Sequence, residues 1–205
     1  MIIVIMGVSG SGKTTIGKML ADAIQCRFLE GDSLHSEQNI EKMGHGIPLA
    51  GADRAPWLAS IRVHILKFFK RQESLVVVCS ALKQQYREFL TEGVPITWVY
   101  LKGSPELIRS RMKHRLNHFM KVDMLSSQFD ALEEPSDAIT VDISPSPSAI
   151  VSQILAQLRK PPTRPRGAAT QHAQRGVRGQ RMRDVASLTS QELRTEAMPT
   201  NGGTK

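Results

Sequence analysis

The sequence predicts an α/β fold of three layers, with a five-stranded parallel sheet between helices on both faces. Two observations carry this. Three apolar runs, at Met1 to Met6, Leu75 to Cys79 and Ile96 to Leu101, and two shorter segments, Arg27 to Glu30 and Ile139 to Ile143, read as strands. The stretches between them carry apolar residues at helical spacing, so strand and helix alternate along the chain.

The elements follow in order. Met1 to Met6 is apolar throughout and stops at glycine, the pattern of a strand buried on both faces and hence of the central strand. Ile16, Met19, Leu20, Ala23 and Ile24 then place a helix over 12–25. After the second strand, Pro56 is expected near the start of a helix, where its missing N–H does no harm. The apolar face of that helix is Leu58, Ile61, Ile65, Phe68 and Phe69, and it ends before Ser74. A further helix puts Leu82, Tyr86, Phe89 and Leu90 on one face, and another runs from Ser104 to about Arg115. The last helix turns Ile150, Val151, Ile154, Leu155 and Leu158 inward. No internal repeat is present.

A chain of 205 residues suits one such domain and is short for two. No run approaches the roughly 18 apolar residues of a membrane span, and the N-terminal run is too short for a signal peptide. A cytoplasmic protein is expected. Cys26 and Cys79, the two cysteines, fit neither a disulfide framework nor a metal site.

The formal charge of +8 is unevenly spread: residues 161–205 hold a net +5, leaving +3 for residues 1–160. That tail opens with Pro161, Pro162 and Pro165 and has little to bury, so 1–160 is expected to be the folded domain and 161–205 a basic, disordered extension. Spaced arginines without aromatics signal electrostatics only, and neither nucleic acid nor membrane is an expected partner.

The chemistry begins at Gly7-Val8-Ser9-Gly10-Ser11-Gly12-Lys13-Thr14, a Walker A pattern lying between a strand and a helix as the motif requires. Its glycines allow backbone N–H groups to converge on phosphate oxygens, aided by the helix dipole. ATP is the expected nucleotide, held by Gly7, Ser9, Gly10, Ser11, Gly12, Lys13, Thr14 and Thr15. Lys13 is expected to reach the β- and γ-phosphates and Thr14 to ligate Mg²⁺. A phosphate loop alone does not separate kinases from switches or motors. The chain has no Asn/Thr-Lys-x-Asp guanine signature and no four apolar residues ending in Asp-Glu, which disfavours the GTPase and motor readings.

Beyond the loop come Glu30-Gly31-Asp32 with His35, Asn39 to Met43, Gly46 to Leu49, Asp53-Arg54, Pro56-Trp57-Leu58, Cys79 to Lys83, Tyr86-Arg87, His118-Phe119-Met120 and Gln128-Phe129. With these blocks in this order, residues 1–159 resemble the gluconokinases of the shikimate-kinase-like group. The resemblance implies a P-loop kinase fold with a helical lid at about 115–130, transfer of the ATP γ-phosphoryl group to the 6-hydroxyl of D-gluconate, and a homodimer. It implies that Asp32 contacts the hydroxyl that is phosphorylated; a carboxylate there can orient it and accept its proton. Read from its surroundings alone, Asp32 also suits a helix N-cap, and Glu30 can serve Mg²⁺ through water or stand solvated.

Gluconate is an anion, so its site needs cations. Arg54 offers a planar fork to a carboxylate. Lys83 and Arg87, four apart on a helix, are expected to frame the same pocket with His35 and, from the lid, His118. Lys121 lies in that lid as well. Trp57 is read as core or pocket wall. Arg111 and Arg115 are expected to reach the ATP phosphates as lid cations.

The chain departs from many family members at Leu49-Ala50-Gly51-Ala52, at Ser33-Leu34 and at Asn117, all on the acceptor side. The competing acceptors are another sugar acid or shikimate, and the competing class is a nucleic-acid-associated ATPase that uses the basic tail.

Overall fold

A computed structural model describes residues 1–113 and 124–159. The element order is β1 (Ile2–Met6), α1 (Lys13–Ala23), β2 (Arg27–Glu30), a 3₁₀ turn at Gly31–Leu34, α2 (Glu37–Gly44), α3 (Gly51–Lys70), β3 (Leu75–Val78) and α4 (Gln84–Thr91), followed by β4 (Ile96–Lys102), α5 (Pro105–Lys113), α6 (Met124–Asp130), β5 (Ile139–Asp142) and α7 (Pro147–Leu158). The strands form one parallel sheet in the order β2-β3-β1-β4-β5, with Val4 of β1 opposite both Val77 and Trp98.

The central place of β1 follows from its composition. Alternate side chains leave a strand on opposite faces, so a strand apolar at every position needs a partner layer on each side. Ile3 and Ile5 pack with Ile16 and Leu20 of α1, Ile108 of α5 and Ile150 and Ile154 of α7. Ile2, Val4 and Met6 pack with Leu58, Ile61 and Ile65 of α3 and Leu90 of α4. Ile61 and Ile65 are wholly buried, and each contributes about 1.5–3 kcal/mol of transfer free energy.

Helix starts follow local chemistry. Ser36 caps α2 by accepting the Asn39 N–H at 3.3 Å, and Ser146, followed by Pro147, caps α7 through the Ala149 N–H at 3.3 Å. The start of α3 differs from expectation. It begins at Gly51, so Pro56 lies inside the helix rather than near its first residue. Asp53 Oδ2 accepts the Ala50 N–H at 2.8 Å and Oδ1 accepts Lys42 Nζ at 2.7 Å, and this holds the earlier start. At the other end Phe69, expected inward, is 40% exposed.

Helix α4 starts at Gln84, leaving Leu82 in the preceding loop. The 3₁₀ turn had no counterpart among the elements read from the sequence, and α6 falls within the span expected to form a helical lid. Arg115, His118, Lys121 and the tail 161–205 lie outside the described residues, as does most of the expected lid. Among the described residues, no helix is long and apolar enough to cross a membrane.

Candidate active site

The carboxyl ends of parallel strands are where open α/β sheets bind ligands, and the expected site residues gather there. From β1 the chain turns through Gly7 to Gly12 into α1. Gly10 and Gly12 have φ of +80° and +95°, conformations that side chains strain to adopt. Gly12 is the N-cap of α1 and provides no side-chain cap, so the first-turn N–H groups of Thr14 and Thr15 face the loop's mouth without an intrahelical partner. Lys13 is nearly buried and its Nζ donates to the Val8 carbonyl at 3.0 Å, which folds the ammonium back across the loop. Ser11 is also buried, and its Oγ has no hydrogen-bond partner among the described residues.

Across from the loop, β2 ends at Glu30. Gly31 lets the chain pass close under β3: a Cβ there would lie 2.5 Å from the Val78 carbonyl oxygen and 3.2 Å from Ile61 Cδ1. The turn that follows presents Asp32. The N-cap of α2 is Ser36, not Asp32, so the carboxylate is not consumed in capping. Burial pushes the Glu30 carboxyl above the usual carboxylate range, with a hydrogen bond from the Thr14 side chain opposing the shift and the charge of Asp32 adding to it. Thr14 and Glu30 thus place hard oxygen donors together beside the phosphate loop. That donor set fits Mg²⁺, which takes oxygen ligands and retains several waters.

Two cavities open here. One is lined by Gly10, Gly12, Lys13, Thr14, Glu30, Asp32 and Ser33. The other takes Asp32, His35, Arg54, Trp57, Ser80, Lys83, Tyr86 and Gln128 into its wall. Both include Ser9, Lys13, Asp32 and Met43, so the phosphate-binding cavity and its neighbour meet at a lysine and a carboxylate.

The second cavity is assembled from distant segments. Trp57 Nε1 donates to the Gly31 carbonyl at 2.7 Å, and its ring stacks on His35 with centroids 4.4 Å apart and planes 11° apart. Burial lowers the His35 pKa, the charge of Asp32 opposes this and Arg54 reinforces it, which favours the neutral ring. Arg54 projects from the first turns of α3, and Lys83 is the N-cap residue of α4. Neither has a carboxylate in salt-bridge range among the described residues.

Two expected site residues are elsewhere. Arg87 does not share a face with Lys83, because α4 begins only after Lys83. It is buried, and its Nη1 donates to the carbonyls of Ala81 and Leu82 at 3.1 Å each, where it braces the loop that carries Lys83. Arg111 lies on the far side of the phosphate loop. Its Nη2 donates to the Ile143 carbonyl at 2.6 Å, and it borders a third cavity with Gly12, Thr15, Pro145 and Pro147. This is not a position over the phosphate loop's mouth.

The contact of Gln128 could not be read from the sequence. This residue sits on α6, and its Oε1 accepts the Ser9 N–H at 2.7 Å across 119 residues of sequence. Cys79 is buried, with its thiol pushed up to about 12 chiefly by burial, which suits packing rather than reactivity.

A family model described as shikimate kinase matches residues 9–159. The thermosensitive gluconokinase of Escherichia coli (strain K12) is 44% identical over 146 residues, 69% of this chain and 78% of that protein. The thermoresistant gluconokinase of the same organism is 41% identical over 164 residues, 78% of this chain and 94% of that protein. Among solved structures, a gluconokinase from Sinorhizobium meliloti 1021 superposes with a TM-score of 0.69 at 43% identity, over 76% of this chain and 90% of its own. A phosphate loop meeting a cation-lined cavity at an aspartate, together with these likenesses, establishes that the chain belongs to the gluconokinase family of shikimate-kinase-like, ATP-dependent kinases.

Proposed function

We propose that the protein transfers the γ-phosphoryl group of ATP to the 6-hydroxyl of D-gluconate, giving 6-phospho-D-gluconate and ADP. The observation that carries this is the shared wall of the two cavities at Lys13 and Asp32, with Arg54 and Lys83 in the acceptor cavity. The named gluconokinases among the relatives favour gluconate over shikimate or a nucleic-acid-stimulated activity.

The residues divide the work as follows. First-turn N–H groups of α1 and the backbone of Gly7 to Gly12 hold the ATP phosphates, and Lys13 leaves the Val8 carbonyl to offset charge on the transferring group. Thr14, with Glu30 acting through water, would hold Mg²⁺, which would supply neutralisation of phosphate charge. Arg54 and Lys83 bind the gluconate carboxylate, and neutral His35 offers a ring nitrogen to its hydroxyls. Asp32 accepts the proton of the attacking hydroxyl as the new O–P bond forms and the bond to the β-phosphate oxygen breaks. The third cavity, between Arg111 and Pro145, takes the nucleoside, with the guanidinium stacking on a planar base. Arg111 therefore serves ATP from the base end, while Arg115 acts on the ATP phosphates and His118 on the acceptor.

The same reading makes the protein a cytoplasmic homodimer with a kinase domain at 1–160 and a basic tail at 161–205. A coupled assay for ADP release, with Mg²⁺-ATP against gluconate, shikimate, related sugar acids, nucleoside monophosphates and single-stranded DNA, tests the function. Turnover confined to gluconate is expected. Turnover on another acid alone would move the substrate, and stimulation only by DNA would overturn the kinase assignment.

A further inference from the structure

One hydrogen bond spans the junction of the two cavities. Ser9 is 8% exposed, lies in the middle of the phosphate loop and lines both cavities, and its N–H is taken by Gln128 Oε1 at 2.7 Å. A loop N–H at this junction is a donor that an oxygen of the transferring phosphoryl group needs. The carboxamide oxygen is an acceptor of similar reach, and it already holds that donor. A single N–H does not make two strong, well-aligned bonds at once.

The helix that carries Gln128 is tied down at its far side. Just beyond α6, the Glu133 N–H donates to the Leu82 carbonyl at 2.9 Å and the Glu133 carboxylate accepts the Gln84 N–H. These bonds fix α6 to the loop that presents Lys83, so Gln128 exchanges partners by turning its side chain rather than by moving the helix. Its carboxamide already forms part of the acceptor cavity wall, and it carries both a donor and an acceptor, as polyol hydroxyls require.

Building on the kinase reading above, we propose that Gln128 is a substrate-positioning residue that changes partners when ATP binds. The γ-phosphate takes the Ser9 N–H, and the released carboxamide turns to the acceptor's hydroxyls. Nucleotide binding thereby completes the acceptor site, and the two ligands bind with positive linkage. With ATP absent the carboxamide stays on the loop, so the acceptor cavity lacks one of its hydrogen-bonding groups.

The test measures binding to the full chain by calorimetry, using the Mg²⁺ complex of the non-hydrolysable imido analogue of ATP, in wild type, Gln128→Leu and Gln128→Glu. Removing the competing acceptor in Gln128→Leu is expected to tighten analogue binding by roughly two- to tenfold, the range of one net hydrogen bond. Gln128→Glu, a stronger and charged acceptor, is expected to weaken it. Gluconate is expected to bind wild type several-fold more tightly with the analogue present than without it, and Gln128→Leu to lose that difference. Unchanged or weaker analogue binding in Gln128→Leu, or an equal gluconate linkage in both proteins, would overturn the proposal. If Gln128→Leu does not fold, analogue binding to Gln128→Glu as tight as to wild type overturns it equally. Absence of gluconate turnover by wild type would count against the substrate assignment instead, and analogue binding still reads the contest for Ser9.

Discussion

The phosphate-binding side and the acceptor side of the site are built in opposite ways. The phosphate-binding side is one continuous stretch, Gly7 to Thr14, set by β1 behind it and α1 ahead of it. The acceptor side is collected from the turn at Asp32 and His35, from α3 at Arg54 and Trp57, from the β3–α4 loop at Ser80 and Lys83, and from α6 at Gln128. A continuous site is fixed by local backbone chemistry and tolerates little change. A collected site depends on how distant elements pack, so its specificity can shift through substitutions that leave the phosphate loop intact.

This contrast predicts a sharp division of mutational effects. On the acceptor side, Arg54→Ala should lower kcat/KM for gluconate by about 10- to 100-fold, the worth of a charge-assisted hydrogen-bond pair. Nucleotide affinity should stay within about twofold. A comparable loss of nucleotide affinity would mean that Arg54 serves both cavities.

Next in size is Arg87→Met. It strands the Ala81 carbonyl and weakens the hold on Leu82, so a stability loss of about 1–3 kcal/mol is expected in denaturant unfolding. Because Ala81 has a φ of +40° in the same loop, the loss should be accompanied by a raised KM for gluconate through misplacement of Lys83. A raised KM with unchanged stability would show that Arg87 touches the acceptor directly.

The smallest effect concerns Glu30. Its folded pKa lies above its ordinary value of 4.5, so its contribution to stability is present below about pH 4.5 and is lost as pH rises through the folded value. Glu30→Gln escapes that loss. Without nucleotide it should melt a few degrees above wild type at neutral pH, with the gap closing below about pH 4.5, and it should bind Mg²⁺-ATP less well. Melting at or below wild type at neutral pH would refute the assignment of a half-buried carboxylate whose desolvation outweighs the Thr14 hydrogen bond.

How far each part was legible follows the same division. The three inner strands and the central place of β1 could be read because a strand buried on both faces must be apolar at every position, as Ile2 to Met6 are, whereas the edge strands β2 and β5 followed from the alternation of strand and helix. The phosphate loop was readable because its residues are adjacent. The start of α3 was misplaced because proline marks a helix start only on average, while the capping by Asp53 that sets Gly51 as the first residue depends on a partner, Lys42, on another helix. Arg87 was assigned to the pocket on the assumption that Lys83 lay one turn before it on the same helix, and the N-cap position of Lys83 removes that premise. Arg111 was placed over the phosphates because nothing local records that Ile143 would hold it on the other side. Gln128 was visible as a residue but not as a contact, since 119 positions separate it from Ser9.

The central claim is that Asp32, where the two cavities meet, is the group that takes the acceptor's proton. The most direct measurement is the steady-state and binding behaviour of Asp32→Asn, which keeps size and hydrogen bonding but removes the base. A fall in kcat of about 10²- to 10⁴-fold, with affinities for ATP and gluconate within a few-fold of wild type, is the predicted result. Retention of kcat in a folded Asp32→Asn protein would contradict the account and place proton transfer on another group.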